Sequence, residues 1–286
     1  MSRVVIVGER GLISRVLAQR LEAMADVVAC VIPTAHASTE EGIELMSSAD
    51  LVVLAVQDFA SPDIVAQLPD HIRILDVSPA FRTSPGWVYG LPELPGQRER
   101  IASAHRVANP GCFATAAILA LAPLTQAGLL ASTTALYLDG VGGYSAGGSK
   151  MESKALAGDL PAESVYGLAA EHRHIAEIKQ LANLAGPVWF TPKIANFKQG
   201  LRLQIPLVGL DRAAVLEAWS AAYANSAIKV DTTVPTRLSA NEWARKPGAC
   251  LRAIPQEGGC LAVCSMDNLG KGAVDSALDN LRLMLG

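Results

Sequence analysis

The 286-residue sequence has little of what marks a nucleic-acid binder, a membrane protein or a disulfide scaffold. Its basic residues gather no further than pairs such as Arg245 and Lys246, and 24 Lys and Arg against 27 Asp and Glu leave a net charge of -3. Such a surface offers no extended positive field to a phosphate backbone or an anionic bilayer. No run reaches the ~18 uninterrupted apolar residues of a membrane span. The amino terminus enters a strand pattern, RVVIVG, in place of a signal peptide. These absences point to a cytoplasmic protein with neither nucleic acid nor membrane as partner. Cysteine is scarce too. Five of them at spacings unlike a disulfide framework are expected to stay reduced, and Cys260 and Cys264 lack the paired pattern of a zinc site, so no metal is expected. What the sequence has is apolar residues, 50% of the total, enough for one large or two modest domains.

The first forty residues alternate between two periods. Arg3 to Gly8 is a β-branched run ending in glycine, as a buried parallel strand reads, and from Leu12 the apolar positions Ile13, Val16, Leu17, Leu21 and Met24 fall at helical spacing. Asp26 to Ile32 and Leu51 to Val56 read as further strands. Strand, helix, strand with short connections predicts a doubly wound parallel sheet. The first turn is GERGLIS, in which Gly8 and Gly11 let the backbone approach a diphosphate at the helix start. The same turn also serves as ordinary strand-to-helix connection chemistry. After the second strand no carboxylate occurs before Glu40, which leans towards NADP over NAD.

The central part of the chain carries reactive groups. Cys112 follows Pro110 and Gly111 and opens the apolar run FATAAILALAPL, so a thiol is predicted at a helix amino terminus, where unpaired N–H groups and the helix dipole favour a thiolate. Cys30, between strand valines, is what a packing cysteine looks like. A thiolate needs a proton-transfer partner. Of the five histidines, His36, His71 and His105 sit in connecting segments without companion chemistry, whereas His172 and His174 open a helical pattern whose buried face is Ile175, Ile178 and Leu181. Residues two apart on a helix diverge by about 200°, so only one of the pair is expected to face the thiol. Arg82, after the strand ILD, has the bidentate fork for a phosphate or carboxylate. The glycine-rich GVGGYSAGGSK, Gly140 to Lys150, reads either as a cofactor-contacting segment or as a mobile loop. At the carboxyl end a strand stops at Asp267 and Asn268, Gly270 and Gly272 make a turn, and Val274, Leu278, Leu281 and Leu285 mark a last amphipathic helix.

Taken together, these motifs resemble the N-acetyl-γ-glutamyl-phosphate reductases, relatives of aspartate-semialdehyde dehydrogenase. The family's NPGCYPT is similar to NPGCFAT at Asn109 to Thr115, its DLSADFR to DVSPAFR at Asp76 to Arg82, its HRHxPEI to HRHIAEI at His172 to Ile178, and its SGAGRK to SAGGSK at Ser145 to Lys150. YGLPEL at Tyr89 to Leu94 and DNLGKGA at Asp267 to Ala273 stand intact. The matches run in order along essentially the whole chain.

The resemblance implies a Rossmann-type parallel sheet at residues 1–111, with the helix of 268–286 packing back on it. It also implies a mixed α/β catalytic and dimerisation domain with an antiparallel sheet at 112–267, for which LRLQIPLVG and CLAVCSM are candidate strands. The implied activity is NADPH-dependent reduction of N-acetyl-γ-glutamyl phosphate to the semialdehyde through a thioester, in arginine biosynthesis, by a homodimer or homotetramer that releases inorganic phosphate. Cys112 would be the nucleophile and His172 the acid–base group, with His174 and Asn109 accessory. Arg82, Lys193 and Lys198 would meet substrate or phosphate. Gly8, Arg10, Gly11, Leu12, Ile13, Ser78, Ser145, Ala146, Asn268 and Gly270 would contact NADP. The family's FTPHLVPMxRG is FTPKIANFKQG here, so Lys193 replaces a histidine and Gln199 an arginine, with Lys198 able to restore a charge. Two other readings compete. One keeps the chemistry on aspartyl phosphate or on a carrier-borne aminoadipyl or glutamyl phosphate, for which Lys193, Lys198 and Arg202 would form a basic docking rim. The other is a non-catalytic NADP-binding sensor or subunit, which has no physical need for an intact thiol and histidine.

Overall fold

The computed structural model describes residues 1–168 and 172–286, and the chain divides into two compact units, Met1–Pro110 with Ala273–Gly286, and Gly111–Gly272. The first unit contains β1 (Ser2–Val7), α1 (Leu12–Glu22), β2 (Val27–Ile32), α2 (Glu40–Ser47), β3 (Leu51–Leu54), α3 (Ser61–Val65), β4 (Ile74–Asp76), β5 (Val88–Tyr89), α4 (Gln97–Ser103) and β6 (Arg106–Ala108). Its strands form one sheet in the order β2-β1-β3-β4-β6-β5, every pairing parallel. The chain leaves β1 to one side for β2 and to the other for β3, which is the switch point where such sheets bind ligands. Val4 to Val7 and Leu51 to Leu54 are buried on both faces, which is why they read as unbroken apolar runs.

The second unit contains α5 (Cys112–Gln126), β7 (Leu136–Gly143), α6 (Gly148–Leu156), β8 (Glu163–Val165), α7 (His174–Leu181), β9 (Val188–Ala195), β10 (Leu201–Val208), α8 (Arg212–Tyr223), β11 (Ile228–Val230), β12 (Ala249–Gln256) and β13 (Gly259–Met266). Its sheet runs β11-β12-β13-β10-β7-β9-β8. The expected strands β10 and β13 pair antiparallel over their full length, from Leu201 opposite Met266 to Val208 opposite Gly259. Helices α5, α7 and α8 pack on one face, where Leu136, Leu138, Leu201, Leu203 and Ile205 are buried. Alternate residues point to the other face. There Arg252 bridges Asp231 at 3.1 Å and Glu242 at 2.7 Å and so fastens the irregular segment 231–248 to the sheet.

Two expectations about local structure change. Gly140 to Lys150 is no loop: β7 runs through Gly143, a 3-10 turn spans Tyr144–Gly147, and α6 follows. The turn expected at Gly270 and Gly272 is a π-helical turn, Gly270–Val274, that feeds directly into α9 (Asp275–Leu285) of the first unit.

Inside the first unit, α9 is anchored by a polar contact. The side-chain nitrogen of Asn280, fully buried, donates to the carbonyl of Gly90 at 2.9 Å and to Oδ1 of Asn109 at 3.0 Å. A Cβ at Gly90 would lie 2.3 Å from that nitrogen, so only glycine admits the contact. Replacing Asn280 by Ala strands two buried acceptors. The expected loss is about 2 to 4 kcal/mol of stability, read as a lower denaturant midpoint at unchanged slope.

Candidate active site

The core of the second unit fixes the thiol. Helix α5 is apolar all round, with Phe113 to Leu124 buried without interruption, and its Trp219 and Tyr223 neighbours donate to the carbonyls of Ala120 and Leu119 at 2.8 Å each. A helix enclosed in this way cannot slide, so its first residue is held in place. Gly111 caps it in an extended conformation, and the Thr115 N–H is the first to reach a helical carbonyl, that of Gly111, at 2.8 Å. The N–H groups of Cys112, Phe113 and Ala114 therefore lie outside the helical ladder and present donors to an anion formed there.

Glycines let the surroundings close on this end. A Cβ at Gly140 on β7 would come within 2.5 Å of the Phe113 ring, and one at Gly272 within 2.7 Å of the Cys112 Cβ. Both positions belong to motifs singled out in the sequence, and both are needed for close approach rather than for a special backbone angle.

Around Cys112 the unit gathers two imidazoles, a carboxylate and a phenol. Expectation and structure part over the histidines. His172 precedes α7 instead of lying in it, so the helical divergence does not apply, and the rings of His172 and His174 meet edge to face at 4.6 Å. Phe190 packs against both rings and against Phe113. The backbone N–H of His174 donates to Nδ1 of His172 at 3.2 Å, which in the neutral ring leaves the proton on Nε2. His174 is buried, with its Nε2 3.9 Å from Oε1 of Glu177.

Glu177 and Tyr166 carried no role in the sequence reading. Glu177 is 2% exposed, and its Oε2 accepts the N–H of Gly111, the cap of the thiol's helix, at 3.0 Å. It thus touches both the histidine pair and the nucleophile's support. Its signal in the sequence was the i, i+3 spacing from His174. Tyr166 stacks edge-on against His172 at 5.6 Å. Burial, and then the charge of Cys112, push its phenol up from the ordinary range, so it stays a hydrogen-bond donor at neutral pH.

Several expected site residues take other parts. Lys193 pairs in register with Val141, on the face of the sheet opposite Phe190 and the histidines, and its Nζ is held 2.6 Å from Asp139. The strand period of two turns it away from the thiol. Lys198 is paired with Glu152 at 3.4 Å, and its carbonyl accepts the Ser145 N–H. Ser145 and Asn268 are buried and bonded to each other at 2.8 Å, and Asn268 also accepts the N–H of Gly200.

In the first unit, Asn109 is 2% exposed, donating to the Ala273 carbonyl and accepting from Asn280, and so ties the chain before α9 to β6. Arg82 donates through Nε to the Asn109 carbonyl at 2.9 Å. Ser78 is 3% exposed, and its hydroxyl is bonded to Asp76 and Ser61. Gly8, at φ 108°, brings the first turn against β3, where a Cβ would lie 2.4 Å from the Ala55 carbonyl oxygen. This close-packed turn, ending at the Gly11 cap of α1, fits the diphosphate of a dinucleotide.

Comparison with known proteins agrees with this architecture. Residues 112–268 match the family model for the semialdehyde dehydrogenase dimerisation domain. The chain is similar to N-acetyl-γ-glutamyl-phosphate reductase 2 of Pseudomonas putida, 36% identical over 99% of this chain and 96% of that one. It is also similar to the N-acetyl-γ-glutamyl-phosphate reductase of Brucella anthropi, 36% identical over 99% and 98%. Among solved structures, aspartate-semialdehyde dehydrogenase of Francisella tularensis superposes with a TM-score of 0.75 at 13% identity over 99% of each chain. The Candida albicans enzyme with NADP gives 0.74 at 10% identity over 99% of this chain and 98% of that one. These two show the shared fold. With full-length relatives above 30% identity and the dimerisation domain matched, the chain belongs to the N-acetyl-γ-glutamyl-phosphate reductase family of the semialdehyde dehydrogenases.

Proposed function

We propose that this protein reduces N-acetyl-γ-glutamyl phosphate to N-acetylglutamate semialdehyde with NADPH, through a thioester on Cys112, as a step of arginine biosynthesis. The observation that carries the reading is the grouping of the Cys112 thiol, the His172–His174 pair, Glu177 and Tyr166 at one end of a fully enclosed helix.

Cys112 Sγ attacks the acyl carbon; its C–S bond forms as the C–O bond to phosphate breaks, and inorganic phosphate leaves. The thiol proton passes to the histidine pair. Donors left outside the helical ladder at Cys112 and Phe113 support the oxyanion, each worth about 3 kcal/mol in comparable sites. Bound NADPH supplies the hydride that takes the thioester to the aldehyde level. The histidine pair, carrying the proton taken from the thiol, returns it to sulfur as the C–S bond breaks and the aldehyde leaves. Glu177 balances positive charge on His174 and keeps the Gly111 turn in place. In the first unit, Gly8, Gly11, Leu12 and Ile13 would hold the cofactor's diphosphate through backbone N–H groups. Arg82 and Lys198 are the cations proposed for substrate and phosphate.

The protein is proposed to act as a homo-oligomer joined through the sheet face of the second unit opposite its helices, beside the segment 231–248. That face carries Tyr137, Trp189 and Val208, which are 45%, 61% and 85% exposed. Large apolar side chains grouped on one sheet face mark an interface.

Three outcomes test the reading. Run in reverse with N-acetylglutamate semialdehyde and phosphate, the protein should form NADPH, and Cys112→Ser should abolish that rate while aspartate semialdehyde gives little; turnover surviving the substitution excludes the thioester. Cys30, expected to pack between the strand valines, is instead exposed on the edge strand β2, so iodoacetamide on the native protein should label Cys112 and Cys30 first. Cys250 should resist, because burial pushes its thiol up to about 11, and Cys260 and the still more strongly raised Cys264 should resist for the same reason. Peptide mapping reads this out, and early loss of activity should follow Cys112 alone. Finally, Trp189→Asp should shift the protein to a smaller species in sedimentation while leaving its far-ultraviolet dichroism unchanged.

A further inference from the structure

Gln199, which stands where the resembling motif has an arginine, uses its side chain at the end of the second unit's sheet. Its nitrogen donates to Oδ2 of Asp267 at 3.4 Å, and Asp267 is 2% exposed. The same oxygen accepts the backbone N–H of Arg245 at 2.6 Å. These residues come together because three strands reach one rim: Met266 of β13 lies opposite both Leu201 of β10 and Ala249 of β12. That rim adjoins the thiol. A Cβ added to Gly272 would lie 2.7 Å from the Cβ of Cys112 and 3.2 Å from the carbonyl oxygen of Asp267, so the nucleophile and Asp267 flank one glycine.

Arg245 carries two marks of a residue kept for its side chain. Its backbone is left-handed, with φ at 61°, a conformation that costs an arginine more than a glycine. Such strain persists where the surroundings hold it, here the Asp267 carboxylate on the Arg245 N–H, and it gathers at ligand sites. The side chain itself is exposed, and among the described residues its guanidinium has no hydrogen-bond or ion-pair partner. Nearby cations are engaged. Lys198 is drawn to Glu152 at 3.4 Å, Lys193 is held by Asp139 at 2.6 Å, and Lys246 lies 4.9 Å over the Trp243 ring.

We propose that Arg245 binds the carboxylate at the amino-acid end of the substrate, in place of the guanidinium that position 199 lacks. The inference rests on the N-acetyl-γ-glutamyl phosphate reading above. That substrate has two anionic groups, the phosphate on the carbon that Cys112 attacks and a carboxylate a few bonds away. A planar fork grips a carboxylate through two parallel N–H···O contacts, which the amide of Gln199 cannot supply. Asp267 holds Arg245 by its backbone N–H alone, so it fixes the turn from which the side chain extends while the guanidinium keeps its charge for the ligand.

Steady-state kinetics of the reverse reaction test this with two aldehydes, N-acetylglutamate semialdehyde and γ-acetamidobutyraldehyde, which lacks only the carboxylate. Arg245→Asn is the variant of choice, because asparagine tolerates the left-handed turn. It should raise KM for N-acetylglutamate semialdehyde about tenfold or more, with kcat and the KM for phosphate changed less than about threefold. With γ-acetamidobutyraldehyde its kcat/KM should stay within about twofold of the wild-type value, and Arg245→Lys should keep part of the affinity for the full substrate. Arg245→Gly, read by thermal unfolding, should melt no lower than the wild type, because glycine relieves the turn. An unchanged KM in Arg245→Asn overturns the inference, as does an equal loss with both aldehydes or a lower melting temperature in Arg245→Gly, which would give the side chain to the fold. A wild-type protein that turns over neither aldehyde overturns the substrate reading itself and this inference with it.

Discussion

Enclosure of α5 is the constraint on which the candidate site depends. Because Phe113 to Leu124 are buried on every side, the helix has one possible axial position, and Cys112 inherits it. Everything near the thiol then serves to close on that point. Gly140 and Gly272 give up side chains so that Phe113 and Cys112 can be approached, and Glu177 uses a buried carboxylate to hold the Gly111 N–H. Rigid placement matters for a thioester mechanism, because misplacing a nucleophile by a fraction of an ångström is costly in rate.

The same economy governs polar groups in the core. Asn109, Asn280, Ser78 and Asp76 in the first unit, and Ser145 with Asn268 in the second, are buried and bonded to one another or to backbone. Residues of a motif can thus serve the fold that presents a reactive group without touching substrate. Burial in the low-dielectric core makes an unpaired group expensive, so such networks hold segments more firmly than apolar contacts of the same size. Charged groups are arranged on the same principle. Lys193 with Asp139, Lys198 with Glu152 and Arg252 with Asp231 and Glu242 each place a cation against a carboxylate, and the Arg252 pairs bind an otherwise irregular segment to the sheet.

Much of the molecule was legible in the sequence because its signals are local. Buried β-branched runs and the 3.6-residue period gave the parallel sheet of the first unit, the family resemblance gave the strands now seen as β10 and β13, and the Pro-Gly turn before a long apolar run marked Cys112 as the first residue of a helix. The glycine-rich stretch after Gly140 was ambiguous, since a strand made of glycines carries no side-chain pattern to read.

What the sequence by itself determined is the set of reactive groups and the elements that bear them, since strand and helix periods and the turn before Cys112 depend only on neighbours along the chain. The tertiary structure decided which groups meet. It put His172 just outside α7, so that both rings converge, and it turned Lys193 to the opposite sheet face through strand register. It also brought Glu177 to Gly111, 66 residues away, and carried Glu9 across to Thr34. Each of these depends on contacts between residues far apart in the chain, which only packing around a shared core creates.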